Sequence, residues 1–275
     1  MTDRLTAPQI RQTKDERKLT MLTAYDYPTA KLLDQSGIDM LLVGDSLAMT
    51  VLGHEDTLSV GMEEMLHHTR AVARAADYSL VVGDMPFLSY QTSREQAVYN
   101  AGRFLKEGRA QAVKLEGGRH VLPQIEAIVA AGIPVQGHLG LTPQSSAQLG
   151  GFKVQARNAT TAGKLLEEGH ALVQAGCFSI VLEAVPAEIA EKVAEEIPVP
   201  VIGIGAGAGC DGQVLVFHDL VGLYQGQPPK FAKQYVNVAD AVSEAAQTFK
   251  TEVEEGAFPA SEHSFFLPRE ERNKL

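Results

Sequence analysis

Cysteine is scarce in this chain, positive charge is outweighed, and long apolar runs are missing. Each absence removes a class of protein. The 275 residues hold two cysteines, Cys177 and Cys210. They lie far apart and match neither a zinc-ligand spacing nor a disulfide framework, so they read as reduced, partly buried thiols. The formal net charge is −10 and the pI is near 5.3. That balance argues against nonspecific nucleic-acid binding and against an anionic membrane surface, while leaving room for a local basic pocket. No apolar run approaches the roughly 18 residues of a membrane span. The amino-terminal MTDRLTAPQIRQTKDERK has no apolar core and no cleavage site, so it does not read as a secretory signal. The compartment left by these exclusions is the cytoplasm.

What is present is ordinary globular composition, 45% hydrophobic and 21% charged, in a regular alternation. Eight short runs read as strands: KLTMLTA (Lys18 to Ala24), DMLLVGD (Asp39 to Asp45), SLVVGD (Ser79 to Asp84), QAVKLE (Gln111 to Glu116), PVQGHL (Pro134 to Leu139), FSIVLEA (Phe178 to Ala184), PVIGIGA (Pro200 to Ala206) and QVLVFH (Gln213 to His218). Most are continuously apolar, the mark of parallel strands covered on both faces. Amphipathic stretches lie between them. Met62 to Ala76 places Met62, Met65, Leu66, Thr69, Val72 and Ala73 on one stripe, and Ser93 to Gly108 starts at a Ser cap and stops at Gly. Eight βα units in about 220 residues fit an α/β fold of the (β/α)8 TIM-barrel type, with a doubly wound open sheet as the runner-up. No composition break divides the region, so the chain reads as a single domain over 1–275. A further amphipathic helix (Ala239 to Phe258) and a short tail containing Phe265 and Phe266 close it.

Active sites of parallel barrels form at the carboxyl ends of the strands. In chain order those ends carry Tyr25 and Asp26, Asp45 and Ser46, Asp84, Lys114 and Glu116, His138, Glu183, and the glycines Gly203 to Gly209. Two strands end alike, in LLVGDSLAM and LVVGDMPFL. Asp45, Asp84 and Glu116 come from three successive strands, and three converging anions repel unless a cation sits among them. They are hard oxygen donors, which suits Mg²⁺ or Mn²⁺. A lone Asp at a strand end is otherwise a helix cap or loop anchor. Gly44 and Gly83 would let backbone approach a ligand closely.

Lys114 and Glu116, two positions apart, share the inward face of their strand. A lysine there needs a protein carboxylate or a substrate anion. Glu183, ending SIVLE, is a desolvated carboxylate and a candidate general base; pairing with a cation, or simple exposure, is the alternative. His138 can hydrogen-bond a substrate oxygen or be a satisfied core histidine. His54 lies on a loop where barrels often place lids, whereas His67 and His68 sit within a helix and suit a solvated or packing role rather than ligation. VIGIGAGAG lacks the G-x-G-x-x-G spacing and precedes a strand, so it reads as a tight βα loop at the barrel mouth, with phosphate binding as a further possibility. A metal, a lysine and an isolated glutamate together suit metal-assisted carbon–carbon chemistry on a 2-oxo acid through a stabilised enolate.

The segments Leu42 to Ser46, Gly53-His54, His68 to Val72, Gly83 to Phe87, Val113 to Gly118, Gly137 to Gln144 and Asp211 to Val216 resemble, colinearly, the ketopantoate hydroxymethyltransferase family, over about Leu19 to Tyr235. The resemblance implies a barrel of the phosphoenolpyruvate/pyruvate superfamily, in pantothenate biosynthesis. It implies that 5,10-methylenetetrahydrofolate donates a hydroxymethyl group to 3-methyl-2-oxobutanoate, giving 2-dehydropantoate through a Mg²⁺-stabilised enolate. By position, Asp45, Asp84 and Glu116 match the Mg²⁺ site. Asp45, Ser46, Asp84 and Lys114 match the 2-oxo acid contacts, with His138 added from its own chemistry. Glu183 matches the proton acceptor. A homo-oligomer, commonly a decamer, is also implied. The loop GHEDTLSVGMEEM, Gln136 and the ending PREERNKL depart from the family pattern and bear on loop closure and subunit packing. Two rivals stand beside this reading. A lyase or mutase of isocitrate-lyase type would share the metal but commonly carries a lid-loop cysteine, and neither cysteine here sits in such a motif. A noncatalytic barrel would not require this many inward ionisable groups.

Overall fold

The computed structural model describes residues 4–223 and 228–275. By contacts the chain falls into two compact units, Met1–Phe217 with Pro229–Ala232, and His218–Pro228 with Lys233–Leu275.

The first unit is a barrel. Its strands are β1 (Leu19–Thr23), β2 (Met40–Val43), β3 (Leu80–Asp84), β4 (Ala112–Lys114), β5 (Val135–Gly140), β6 (Ser179–Glu183), β7 (Val201–Ile204) and β8 (Gly212–Leu215). They close in the order β1-β2-β3-β4-β5-β6-β7-β8, all neighbours parallel, with β8 returning to β1. The open-sheet alternative is thereby excluded. The helices up to β7 are α1 (Ala7–Gln12), α2 (Tyr27–Gln35), α3 (Leu47–Thr50), α4 (Met62–Ala75), α5 (Arg94–Lys106), α6 (Leu122–Ala130), α7 (Ser146–Leu149), α8 (Ala159–Gln174) and α9 (Ala187–Glu196).

Alternation along each strand sorts the side chains. Leu19 and Met21, Met40 and Leu42, Leu80 and Val82, Ala112, Val181, Ile202, Ile204 and Val214 join in one buried cluster, the packed interior of the barrel. Helix α1 contributes Ala7 and Ile10 to the same cluster. It is started by a reciprocal Thr6–Gln9 capping box. Residues of opposite parity face the outer helices. On α4 the buried stripe is Met65, Leu66, Thr69, Val72 and Ala73, as its periodicity requires.

The expectation of a helix in every unit fails between β7 and β8. Both strands run the same way, so the chain must travel back from the carboxyl end of one to the amino end of the other, and residues 205–211 do so without a helix. Glycines make this possible. A Cβ at Gly207 would meet Ala187, and one at Gly209 would meet Glu191, so this return segment lies flush on α9. At its lower end Leu19 N–H donates to Asp211 O and Val201 N–H donates to Asp211 Oδ2, both at 2.8 Å. Lys18 Nζ donates to Cys210 O at 2.6 Å.

The second unit contains most of α10 (Phe217–Val221), then α11 (Val238–Glu254) and α12 (Arg269–Arg272). Asn237 caps α11 through Asp240 N–H. Phe249 packs edge-on against Phe258, their centroids 5.6 Å apart. Val242, Phe249 and Val253 of α11 stay exposed.

Candidate active site

The carboxyl ends of β2 to β6 bring a charged group together. Asp84 is the last residue of β3, Lys114 the last of β4 and Glu183 the last of β6, while Asp45 and Glu116 lie two residues beyond β2 and β4. Lys114 Nζ donates to both oxygens of Asp84, at 2.8 and 2.9 Å, and lies 3.5 Å from Glu116 Oε1. Asp45 N–H donates to Asp84 Oδ2 at 3.2 Å. His138, from the middle of β5, stands between two carboxylates. Its Nδ1 is 3.3 Å from Glu116 Oε1 and its Nε2 is 3.2 Å from Glu183 Oε2. Both contacts are too bent for hydrogen bonds, so they are chiefly electrostatic. The Glu183 side chain is 15% exposed against 2% for Asp84 and Glu116, so of these three carboxylates it is the one open to the mouth.

Burial sets the electrostatics. It pushes the Asp45 carboxyl well above its ordinary range, and the neighbouring Asp84 and Glu116 add to the rise. Asp84 is also raised by burial, with Lys114 opposing. At Glu116 burial is outweighed by Lys114, by His138 and by the backbone N–H of Gln144, and the carboxyl stays low. Lys114 loses hydration, but Asp84, Glu116 and Asp45 together hold its ammonium charged. For His138 burial and Lys114 favour the neutral ring, yet Glu116 and Glu183 prevail and raise it to about 9.

Ser46 precedes α3 but makes no side-chain cap there. Its hydroxyl instead meets the Tyr25 hydroxyl at 2.8 Å, and burial pushes that phenol up to about 12. The cap alternative for the strand-end aspartates holds for Asp26, whose Oδ1 accepts Thr29 N–H at 2.8 Å. It does not hold for Asp45 or Asp84.

Two participants escape the sequence reading, Tyr90 and Gln144. Gln144 is buried in the turn after β5. Its Nε2 donates to Asp45 Oδ2 and to Met85 O, each at 2.9 Å, and its backbone N–H donates to Glu116 Oε2 at 3.0 Å. The Tyr90 hydroxyl has two acceptors for its one proton, Gln144 Oε1 at 2.8 Å and Glu116 O at 3.1 Å, and it accepts Glu116 N–H at 3.2 Å. Neither residue is ionisable near neutral pH and neither sits on a strand, so residue chemistry assigns them no role, although Gln144 closes the Gly137 to Gln144 segment that carries the family resemblance.

Other expectations move. Gly83 faces outward, and a Cβ there would strike the Phe104 ring; its smallness serves helix packing rather than a ligand. The glycine run leaves the carboxyl end of β7 and, at Gly207 and Gly209, lies against α9 on its way back to β8. His54 is exposed on the segment after α3. His68 Nδ1 meets Tyr25 O at 2.6 Å, and His67 packs edge-on against His68, in line with a packing role.

Whether a divalent ion suits this place is a question of charge and donors. Asp45, Asp84 and Glu116 crowd around Lys114, and burial together with the neighbouring carboxylates pushes Asp45 toward its protonated form. A divalent cation would reverse that penalty and let the carboxylates ionise together, whereas an unneutralised buried anion is costly. Among the described residues no three His, Cys, Asp or Glu side chains surround one point as a ready ligand set. Lys114 engages both oxygens of Asp84 instead. A hydrated Mg²⁺ commonly takes one or two carboxylates and completes its shell with water and substrate oxygens, so the donor chemistry fits without a three-carboxylate cage.

Comparison with known proteins follows the same line. The family model described as ketopantoate hydroxymethyltransferase matches residues 4–261. A protein of Syntrophobacter fumaroxidans named 3-methyl-2-oxobutanoate hydroxymethyltransferase is 63% identical over 275 residues, covering 100% of this chain and 98% of its own. One of the same name from Moorella thermoacetica is 57% identical, covering 95% and 98%. Among solved structures, a phosphonopyruvate hydrolase in complex with oxalate and Mg²⁺ aligns with a TM-score of 0.61 at 16% identity, covering 94% of this chain and 93% of that one. A 2,3-dimethylmalate lyase, described as a member of the PEP mutase/isocitrate lyase superfamily, aligns with a TM-score of 0.60 at 15% identity, covering 98% and 94%. At such identities the likeness is one of fold.

Proposed function

The chain belongs to the ketopantoate hydroxymethyltransferase family, and on that premise we propose that it transfers a hydroxymethyl group from 5,10-methylenetetrahydrofolate to 3-methyl-2-oxobutanoate, giving 2-dehydropantoate. The C3–H bond of the 2-oxo acid breaks, a bond from C3 to the donated carbon forms, and water supplies the hydroxyl as the carbon leaves tetrahydrofolate.

The observation that carries this reading is the approach of Glu183 to His138, Oε2 to Nε2 at 3.2 Å, inside a group of strand-end carboxylates. Glu183 takes the C3 proton. Its partial opening to the mouth supports that role, since a base must reach substrate. His138, between Glu116 and Glu183, orients the Glu183 carboxylate. Lys114 offers a positive charge where the substrate's carboxylate and developing oxyanion would lie. The Ser46 hydroxyl, aligned by Tyr25, offers a hydrogen bond to the acid. Asp45 and Asp84, with Glu116, are the residues that would hold Mg²⁺, which when bound supplies Lewis acidity to the 2-oxo acid carbonyl. The folate donor rests on family membership. A homo-oligomer, a decamer on the family pattern, is supported by the exposed apolar residues of α11; light scattering on the purified protein reads it directly.

The test is proton NMR of 3-methyl-2-oxobutanoate in D₂O with protein and Mg²⁺, then with EDTA. Loss of the C3 proton signal that EDTA stops is the expected result, and adding 5,10-methylenetetrahydrofolate then yields 2-dehydropantoate. Absence of exchange, with and without the folate, overturns the reading.

A further inference from the structure

We propose that Gln144 is a positioning residue that decides which oxygens of Asp45 and Glu116 are left for metal and substrate. The proposal deepens the reading above and rests on it. Gln144 touches two of the three carboxylates assigned to Mg²⁺, by two different groups. Its side-chain amide takes Oδ2 of Asp45 at 2.9 Å, and its backbone N–H takes Oε2 of Glu116 at 3.0 Å. Each carboxylate thus has one oxygen fixed by Gln144. The other oxygen of Glu116, Oε1, is the one near Lys114 and His138.

The amide orientation is over-determined. A primary amide has two N–H donors and two lone pairs on oxygen. Both donors are used, on Asp45 Oδ2 and on Met85 O. The oxygen accepts from Gln91 Nε2 at 3.4 Å and is the nearer, at 2.8 Å against 3.1 Å for Glu116 O, of the two acceptors facing the single Tyr90 hydroxyl proton. Rotating the amide by half a turn would set its oxygen against a carboxylate and a carbonyl while turning its N–H groups toward donors. Buried networks satisfied at every member hold one geometry, and a half-satisfied one is costly. Tyr90 completes the lock, because its hydroxyl also accepts Glu116 N–H at 3.2 Å. One tyrosine therefore ties the backbone of Glu116 to the glutamine that holds its carboxylate.

Groups that orient metal-binding carboxylates typically contribute about 10- to 100-fold to metal affinity or activity. The experiment compares wild type with Gln144→Met, which keeps side-chain length and the backbone N–H but removes the amide. Tyr90→Phe keeps the ring, removes the hydroxyl and carries the test if Gln144→Met does not fold. Mg²⁺ affinity is measured by calorimetry on folded protein, and C3-proton exchange of the 2-oxo acid is measured across Mg²⁺ concentrations. For Gln144→Met the Mg²⁺ Kd is expected to weaken about 10- to 100-fold, with most of the exchange rate recovered at high Mg²⁺. Tyr90→Phe is expected to shift Kd the same way by less. A role in stability alone would lower the melting temperature and leave Kd in place. Wild-type Kd in the folded variants, beside a wild type that exchanges normally, overturns this proposal and leaves the function standing. A wild type that takes up no Mg²⁺ and exchanges no proton overturns both.

Discussion

The α-carbon of Gly140 lies against the carbonyl oxygen of Glu183, and the next residue, Leu141, donates its N–H to that same oxygen at 2.9 Å. The two residues are partners in the β5–β6 register. Gly140 has φ +89°, and a Cβ there would collide with the Glu183 carbonyl. The backbone of the proposed base is thus held by the neighbouring strand, and only glycine leaves room for it. Gly140→Ala is expected to cost about 1–3 kcal/mol in backbone strain alone and to lower C3-proton exchange by about 100-fold through misplacement. Urea unfolding and the NMR exchange assay read the two effects. A variant that exchanges at the wild-type rate would show that the position of Glu183 does not matter.

Glu183→Gln keeps the shape of the side chain and removes its basicity. Exchange of the C3 proton should fall to background while affinity for 3-methyl-2-oxobutanoate stays within a few-fold, since a group acting in proton transfer contributes about 10²–10⁴-fold to rate and little to ground-state binding. Exchange that persists in this variant would move the base elsewhere.

Lys114 holds Asp84 and Glu116 together in a fully buried setting. Lys114→Met leaves those anions without their cation, and removing one partner of a buried pair commonly costs about 3–5 kcal/mol. The expected result is a large loss of stability in EDTA, partly restored by added Mg²⁺. Equal stability in EDTA for wild type and variant would mean that the aspartate is protonated and needs no partner.

Much of the barrel is legible from the strands alone, because a parallel strand buried on both faces leaves a continuous apolar run. Each of the eight expected runs overlaps an observed strand, and six contain it whole; β5 runs one residue past its expected end, to Gly140, and β8 starts one residue early, at Gly212. The ends are shorter where polar residues take over. Gln111 to Glu116 narrows to Ala112–Lys114. The ionisable residues were visible because a charge at the end of an apolar strand is unusual. Gln144 and Tyr90 were not, because amides and hydroxyls carry no such signature, and their role arises from folding Met85 to Tyr90 and Leu141 to Gln144 against each other. The missing helix between β7 and β8 was obscured for a similar reason. The glycines that suggest a ligand loop are there to lie against Ala187 and Glu191.

Cys177 and Cys210 are fully buried. Burial pushes the Cys177 thiol up to about 12 and the Cys210 thiol up to about 11. Since the thiolate is the reactive form, neither should react with Ellman's reagent in native protein at pH 8, and both should react in guanidinium. Fast labelling of native protein would mean that β5 and β6, or the return segment ending at Cys210, open readily.

Asp34, near the end of α2, accepts three backbone N–H groups, from Asp77 at 3.0 Å, Tyr78 at 3.0 Å and Ser79 at 2.8 Å. These pin the segment that leads into β3, the strand that delivers Asp84. Burial alone would raise the carboxyl, but the N–H groups outweigh it and its pKa is lowered. A folded value below the unfolded one means that the stabilisation is present above the unfolded pKa, about 3.9, and is lost as pH falls through the folded value. Asp34→Asn imitates the protonated form. It should therefore cost about 1–2 kcal/mol at pH 7, the net worth of a hydrogen bond or two to a charged acceptor, and the gap to wild type should close as pH falls below about 4. Urea unfolding at pH 7 and pH 3.5 measures it. A gap that stays constant across that range would place the effect in side-chain shape, and the carboxylate charge would then not be what holds the entry to β3.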